Sequence, residues 1–499
     1  MVLFFKGKSN LIAVDSQKDL SPADLEKLVW LFAEAALIEQ DSISGIYVGP
    51  RKEMITPWST NAVEITQNMG IRGIVRIEEF FPSEQDLPQF DPMLQVVYKG
   101  LNQEIFVINH KPEPVISIED IAAYSSREGL ALSEDEVTYL NEVSNKLGRK
   151  LTDSEVFGFS QVNSEHCRHK IFNGNFIIDG VEKESTLFQL IKKTTQANPN
   201  TILSAYKDNC SFSKGPDSEQ FAPISQDKPD YFQVSDIQTV LSLKAETHNF
   251  PTTVEPFNGA ATGTGGEIRD RMAGGKGSFP IAGTAVYMTS YSRNDENGRS
   301  WEEATEARPW LYQTPEEILI KASNGASDFG NKFGQPLING SVLTFEHFEN
   351  QKKFGYDKVI MQAGGIGYAR QEDCLKSVPG VGDKVVLLGG DNYRIGMGGG
   401  AVSSVDTGEF ESHIELNAVQ RANPEMQKRA YNTIRALAES GNNPIISIHD
   451  HGAGGHLNCL SELVEETGGE IYIDQLPVGD PTLSAKEIVG NESQESNNR

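Results

Sequence analysis

Long apolar runs are missing from this chain of 499 residues, and no stretch approaches the ~20 residues needed to span a bilayer, which predicts no membrane partner. Cysteine is scarce too. Cys167, Cys210, Cys374 and Cys459 are scattered with no CxxC pair, so neither a disulfide framework nor a thiolate zinc site is indicated. Positive charge is outweighed: 44 Lys and Arg stand against 70 Asp and Glu, a formal net charge of −26. That balance argues against nucleic acid as a partner, because binding a phosphate backbone depends on clustered cations that release counterions. Any anionic ligand must therefore be met by local features. The two common nucleotide fingerprints are absent as well: Lys276 follows Gly275 but precedes Gly277, so there is no GxxxxGK[ST] loop, and GTGGEI lacks the third glycine of GxGxxG. The opening MVLFFKGKSN puts its lysines after the apolar residues and no small-residue cleavage site follows, which predicts no export and a cytoplasmic location.

What the chain does have is concentrated between Lys244 and Gly283. VLSLKAETH reads as a strand, and period-2 alternation places Lys244, Glu246 and His248 on one face at its end. Gly259, Gly263, Gly265 and Gly266 follow, then Glu267-Ile268-Arg269-Asp270 restores charge of both signs. We read the glycines as a built loop whose bare backbone approaches phosphate oxygens, so that the stretch suggests nucleotide phosphates plus a divalent metal. A glycine cluster is more often a turn device and a Lys-x-Glu pair a solvated strand face; co-occurrence in one run favours the ligand reading. Glu246 and Asp270 are hard oxygen donors suited to Mg2+, with Asp450 a third, and His248 titrates near neutrality. Arg271 and Lys276 are either local positive features or simply solvated charges.

Length points to about three domains. Residues 1–118 interleave strand-like segments (LFFKG, GIYVG, VVYKG, EIFVINH) with a helix around DLSPADLEKLVWLFAEAAL, in which Glu26 fits a capping box with Ser21 only loosely; a small α+β domain follows. Residues 119–172 read as a helical linker with capping boxes at Ser133/Glu136 and Thr152/Glu155 and a stop at Gly148. Its second helix is expected to run through NSEHCRH, which would put His166 and His169 on one face. A metal site there, with Cys167 and one of His449, His451 or His456, is disfavoured by the lack of closed four-ligand spacing. Residues 195–235 are polar and read as a surface excursion. Residues 173–372 carry strand, helix and strand (PIAGTAVYMTS; TPEEILIKASNGASDFGNKFG, capped at Thr314 and ended at Asn324-Gly325; KVIMQAGGIGYAR), and 373–499 form a further subdomain. In the latter a second glycine loop, Gly396 to Gly400, either covers a phosphate or serves tight packing, SVPGVGDKVVLLGG feeds an apolar strand, and Met426, Ala430, Ile434 and Leu437 share a helical stripe.

KAETHNFPTTVEPFNGAATGTGGEIRD resembles the signature of the phosphoribosylformylglycinamidine (FGAM) synthase family, purine-pathway amidotransferases, in their large single-chain form. NSEHCRHKIFNGNF, FGQPLINGSVLTFE, MQAGGIG, GGDNYRIGMGGGAVSS, VQRANPEMQKR, HDHGAGGHLNCLSELVEE and NESQE agree, covering roughly residues 150 to 495. The resemblance implies a mixed α/β architecture in which the N-terminal domain and linker precede aminoimidazole-ribonucleotide-synthetase-like N and C subdomains. It implies the ligands Mg2+, ATP and formylglycinamide ribonucleotide (FGAR), and a reaction in which an amide oxygen of FGAR attacks the γ-phosphate and ammonia then displaces phosphate. His248 would be the catalytic histidine, with His166 beside it. Lys244, His169, the run Gly259, Ala260, Ala261, Thr262, Gly263, Thr264, Gly265, Gly266, Glu267, Ile268, Arg269 and Asp270, and Asn339, Gly340 and Ser341 would meet ATP. Thr247, Asn249, Phe250, Arg269, Gln420, Glu492, Ser493 and Gln494 would meet FGAR. Some members carry a histidine where this chain has Phe250, which excludes a side-chain proton role there. The family continues into a second synthetase half and a glutaminase with a Cys-His-Glu site, expected partners in the same polypeptide; the stretch ending NESQESNNR reads as an N-terminal portion inactive alone. Alternatives are a nucleotide-binding or assembly module without turnover, or an aminoimidazole ribonucleotide or selenophosphate synthetase; those synthetases lack NSEHCRHK and so large an N-terminal domain.

Overall fold

Strands β1 (Val2–Lys6) and β2 (Leu11–Ser16) are apolar on both faces, so each needs cover on two sides. Helices α1 (Pro22–Leu31) and α2 (Pro57–Asn68) supply one, where Phe5, Ile12, Val14, Leu28, Ala62 and Ile77 share a buried cluster. Val2, Phe4, Leu11, Ala13, Phe80 and Leu101 form a second cluster on the other. With β3 (Ala36–Ile38), β4 (Ser42–Pro50), β5 (Ile74–Pro82) and β6 (Gln95–Asn102) they build an antiparallel sheet in the order β3-β1-β2-β5-β4-β6. Ser21 caps α1 through the amide of Asp24, so Glu26 is not the capping partner. EIFVINH forms no strand; Ile105 and Phe106 instead fold back onto the second cluster. The computed structural model describes residues 1–85, 88, 90–166, 168–293, 299, 302, 313–356, 358–405, 412–492 and 497–498. Met1–Pro114, with Asp391–Arg394 and Pro477–Ser484, group into one unit and the remainder into a second.

The second unit begins with α3 (Ile121–Glu128), α4 (Glu134–Leu147) and α5 (Asp153–Val162). Both expected capping boxes close, and Gly148 ends α4 at φ 67°. The last of these helices is shorter than expected. It stops at Asn163, and α6 (His169–Asn173) starts afresh after Arg168 at φ 56°, so His166 and His169 share no helical face. A hairpin of β7 (Ile177–Ile178) and β8 (Val181–Glu182) and helix α7 (Leu187–Ala197) follow. The polar stretch 195–235 is not a plain excursion: it supplies β9 (Ile202–Ser204) and β10 (Ser211–Pro223), the latter paired along β11 (Phe232–Thr247).

After β11 come α8 (Asn249–Val254), α9 (Pro256–Met272), β12 (Phe279–Thr289), α10 (Pro315–Phe333) and β13 (Leu337–Thr344). A hairpin of β14 (Glu346–Glu349) and β15 (Lys352–Gly355) leads to β16 (Ile360–Arg370). The sheet order is β13-β12-β16-β11-β10-β9; only β12 and β13 pair in parallel among these, as the α10 crossover between them allows. Helix α10 runs past Asn324-Gly325 to Gly334, because Gly325 is a contact, not a stop: a Cβ there would lie 2.0 Å from the carbonyl oxygen of Phe257. The rest comprises β17 (Leu387–Leu388), α11 (Gly399–Val402), α12 (Ser412–Asn417), α13 (Pro424–Ala438), β18 (His449–Asp450), α14 (Gly455–Leu463), α15 (Ala485–Gly490) and β19 (Asn497–Asn498). The apolar strand expected in DKVVLLGG shrinks to β17, with Val385 and Val386 exposed. Ile268, Met272, Phe329 and Phe333 meet Tyr431, Ile434 and Ala438 in one core, which fastens α9 and α10 to α13.

The largest correction concerns the glycine run. It is not a loop but the buried helix α9, and from Gly259 onward its amides bond i−4 carbonyls, leaving no bare-backbone cradle. Its glycines serve approach: a Cβ on Gly259 would sit 2.3 Å from the Pro251 carbonyl carbon, and one on Gly263 would sit 2.9 Å from the His248 Cβ. Alanine favours helix by about 1 kcal/mol over glycine. The clash with rigid backbone outweighs that gain, so Gly259→Ala is expected to destabilise the protein by about 1–3 kcal/mol. A lower denaturation midpoint at unchanged slope is the expected reading; an unchanged or higher midpoint contradicts the packing argument.

Candidate active site at the end of β11

Alternation along β11 sends Val240, Ser242, Lys244 and Glu246 to the face roofed by α9, while Leu243, Ala245 and Thr247 are exposed. Lys244 Nζ lies 2.5 Å from Asp270 and 3.7 Å from Glu246. Burial opposes the lysine's charge, but the Asp270 and Glu246 carboxylates outweigh it and hold its pKa above the ordinary value. Partial burial and the neighbouring Asp270 charge push Glu246 up to about 7. Gly266 leaves room for Glu246 Oε1, which stands 2.7 Å from where a Cβ would be.

His248 follows directly, and its backbone N–H donates to the carbonyl of Met361 on β16. Its Nδ1 lies 2.6 Å from the carbonyl oxygen of Gly259; a carbonyl only accepts, so Nδ1 carries the proton and Nε2 keeps its lone pair. Burial, against the opposing pull of the Gly259 carbonyl and with smaller help from His166 and Arg269, lowers the His248 pKa to about 4. The ring is therefore a neutral acceptor at pH 7. His166 sits near enough to feel it, with Nδ1 2.7 Å from Ser403 Oγ.

Three carboxylates and two cations meet beside these histidines. Arg269 Nε is 3.5 Å from Asp450, and its Nη1 reaches Gln427 at 3.4 Å. Burial raises Asp270, but Lys244 more than cancels this and leaves it below the usual range; burial and the Asp270 charge push Asp450 well above it. Asn209 Nδ2 donates to both, at 3.2 Å to Asp270 and 2.5 Å to Asp450. Glu246, Asp270 and Asp450 have the donor chemistry of a hard-cation site, with more negative than positive charge gathered there. They are not a ready-made cage: among the described residues no three His, Cys, Asp or Glu side chains are disposed to hold a metal ion.

Other candidates are distributed differently. Gln420 and Glu492 meet, with Gln420 Nε2 donating to Glu492 Oε2 at 2.5 Å. The second glycine run serves that contact, since Gly396 O accepts the Glu492 amide and Gly399 leaves room for its carboxylate. Asn249 is half-buried, and its Oδ1 has no hydrogen-bond partner among the described residues. Phe250 is a core residue packed with Val254, Val402 and Val419, while Thr247 faces away from the cluster. Ala260, Ala261 and Ile268 are packed into core clusters, Glu267 pairs with Arg271, and Thr262, Thr264 and Gly265 are buried, so these residues of the expected ATP run face protein. Arg271 is not a solvated charge: it is fully buried on Glu267, Gln335 and the Ile366 carbonyl. Asn339, Gly340 and Ser341 lie exposed on the edge strand β13, and His169 packs edge-on against Phe188. Ser493, Gln494 and Cys167 lie outside the described residues. Gln427 and Asn209 escaped sequence reasoning; an amide in a polar stretch or on a helix carries no local mark of its distant partners.

His451 Nε2 and His456 Nδ1 stand 2.7 Å apart, both buried. Burial lowers His456 to about 4. Between pH 6.5 and 4 the unfolded chain binds the proton that the folded ring refuses, so stability is full above about 6.5 and falls as pH drops toward 4. The loss amounts to at most about 3 kcal/mol at 1.36 kcal/mol per unit. His456→Gln is expected to flatten this acid limb in denaturant titrations at stepped pH; an unaltered limb excludes His456 as its source.

With this geometry in view, three family descriptions match the chain: formylglycinamide ribonucleotide amidotransferase N-terminal over residues 10–87, the linker domain of the same amidotransferase over 121–170, and AIR synthase related protein, C-terminal domain, over 380–497. The chain is 37% identical over 518 residues to a phosphoribosylformylglycinamidine synthase of Dictyostelium discoideum, an alignment covering 96% of this chain and 38% of that one. It thus spans under half of that relative's length. Solved structures that resemble it include T. maritima PurL complexed with FGAR (24% identity, TM-score 0.48, 72% of this chain and 47% of that one). T. maritima PurL complexed with ATP is similar at 23% identity and TM-score 0.44, over 72% and 46% of the two chains. Continuous identity along nearly the whole chain, with three successive segments of matching description, leads to one conclusion: the chain belongs to the phosphoribosylformylglycinamidine synthase family.

Proposed function

We propose that this chain carries a synthetase site of an ATP-dependent amidotransferase that converts FGAR, ATP and glutamine-derived ammonia into FGAM, ADP and phosphate in purine biosynthesis. The observation that carries the reading is the convergence of a neutral His248, the cations Lys244 and Arg269, and the carboxylates Glu246, Asp270 and Asp450 at the end of β11. Binding of FGAR and ATP is a reading supported by relatives whose names carry those ligands. Glu246, Asp270 and Asp450 would hold Mg2+, which when bound would neutralise phosphate charge.

In this reading Lys244 and Arg269 draw the phosphates by charge, while Gln420, Glu492 and Asn249 orient FGAR. An amide oxygen of FGAR attacks the γ-phosphorus and ADP leaves. Ammonia then adds to the activated carbon, phosphate departs, and His248 Nε2 takes the surplus proton, its ring held by Nδ1–H on the Gly259 carbonyl. His166 stands as a second polar group at the same place. The ammonia source and the second synthetase half we assign to further polypeptide of the same protein. Exposed apolar side chains at Leu243, Ile338, Val342 and Leu343 on the sheet suit such a partner. The cytoplasm is the compartment we assign, with no helix among the described residues long and apolar enough to cross a membrane.

His248→Ala in the full-length protein is expected to lower ammonia-dependent FGAM formation by about 10²- to 10⁴-fold. Unchanged turnover removes His248 from the mechanism. Calorimetric titration of the present chain with Mg-ATP and FGAR separates a ligand site from an inert assembly module, which binds neither.

A further inference from the structure

Asn209 lies between β9 and β10, in the stretch that read as a mere surface excursion, yet it joins three distant parts of the second unit. Its Nδ2 donates to Asp270 on α9 at 3.2 Å and to Asp450 on β18 at 2.5 Å. Its Oδ1 accepts from Lys376 Nζ at 3.0 Å, and the same ammonium sits 2.7 Å from Asp208. Asp208 is held in turn by the amide of Gly275 at 2.8 Å and accepts the Asn209 backbone N–H at 2.7 Å.

The orientation of the Asn209 amide follows from chemistry. An ammonium has only donors and a carboxylate only acceptors, so the oxygen must face Lys376 and the nitrogen the two carboxylates. A flipped amide would lose every bond and set its oxygen against two anions. Lys376 thus fixes which end of Asn209 points inward without itself contacting either carboxylate. Asp270 and Asp450 share a hydrogen bond with one another, and the neutral double donor Asn209 braces both from outside the helix and strand that carry them.

We infer that Asn209 is a positioning residue that keeps Asp270 and Asp450 side by side for a divalent cation, with Lys376 and Asp208 as the clamp that orients it. The inference rests on the reading that Asp270 and Asp450 hold the cation. Groups that orient metal ligands from behind commonly contribute 10- to 100-fold to metal affinity. A neutral tether suits the task because it carries no charge that would compete with the cation once bound.

Mn2+ serves as the probe, its affinity measured by electron paramagnetic resonance on the full-length protein with and without a non-hydrolysable ATP analogue. Asn209→Ala is expected to weaken Mn2+ binding about 10- to 100-fold. Lys376→Gln, which touches neither carboxylate, is expected to weaken it in the same direction, and the double variant to match Asn209→Ala alone, because both act through one amide. Thermal melts in EDTA provide the readout for a merely structural role: the expected result is a melt close to wild type alongside weakened Mn2+ binding. If Asn209→Ala does not fold, Lys376→Gln decides. Binding lost in Asp450→Asn but kept within twofold in Asn209→Ala, or in Lys376→Gln where that variant decides, overturns the inference alone. Wild-type binding that survives Asp450→Asn, or no wild-type binding at all, overturns the cation reading and the inference together.

Discussion

Everything at this site depends on how near α9 comes to β11. Side chains ordinarily hold packed layers of secondary structure well apart, about 10 Å between two stacked sheets. Here the missing side chains at Gly259, Gly263 and Gly266 let the helix backbone itself touch His248 and Glu246. The approach has two results in one step. It gives His248 a backbone carbonyl as partner and so sets its tautomer, and it brings Asp270 within reach of Lys244. A helix with four glycines sacrifices about 1 kcal/mol of intrinsic propensity at each. Burial of Ile268 and Met272 against Phe329 and Phe333 compensates, so tertiary packing overrides local preference.

The same closeness explains why charge behaves unusually here. Water is kept from Asp450 and Arg269, so each neighbour counts for more than it would at a surface. Asp270 wins its proton contest because Lys244 is nearest to it; Asp450 loses because Asp270 is already charged and Arg269 stands farther off. Behind this mobile balance lies a fixed one. Glu267 and Arg271, one turn apart on α9 and wholly buried, satisfy each other and tie the helix to β16 and to Gln335. Removing one partner of such a pair strands the other, which makes the helix register difficult to slip.

Much of this was readable from residue order, and the failures have physical causes. Period-2 alternation was enough to put Lys244 and Glu246 on one face of β11, and S/T-x-x-E patterns were enough to start α4, α5 and α10. The glycine run misled because glycine is read first for its freedom, as in loops. The spacing of Gly259, Gly263 and Gly266, which is i, i+4 and i+7, was the overlooked sign of one helical face pressed against a neighbour. The helix expected through His169 stops at Asn163, and α6 starts afresh only after the left-handed Arg168, with no proline or glycine to announce either change. Asn209 was invisible for a different reason: its meaning lies wholly in partners 61 and 241 positions away.

The pairing of Gln420 with Glu492 changes what it means for a ligand to enter. Gln420 already donates to one carboxylate oxygen of Glu492, so that oxygen does not stand bare before a ligand arrives. If the proposed ligand binds there, entry would be an exchange of partners, in which a newcomer must replace the bond it disrupts before it gains anything. A near-analogue able to break that pair but not to re-form its bonds leaves a buried carboxylate short of a donor, a penalty of about 1–3 kcal/mol or more. Discrimination would come from the cost of an incomplete substitution, not from the strength of any single grip.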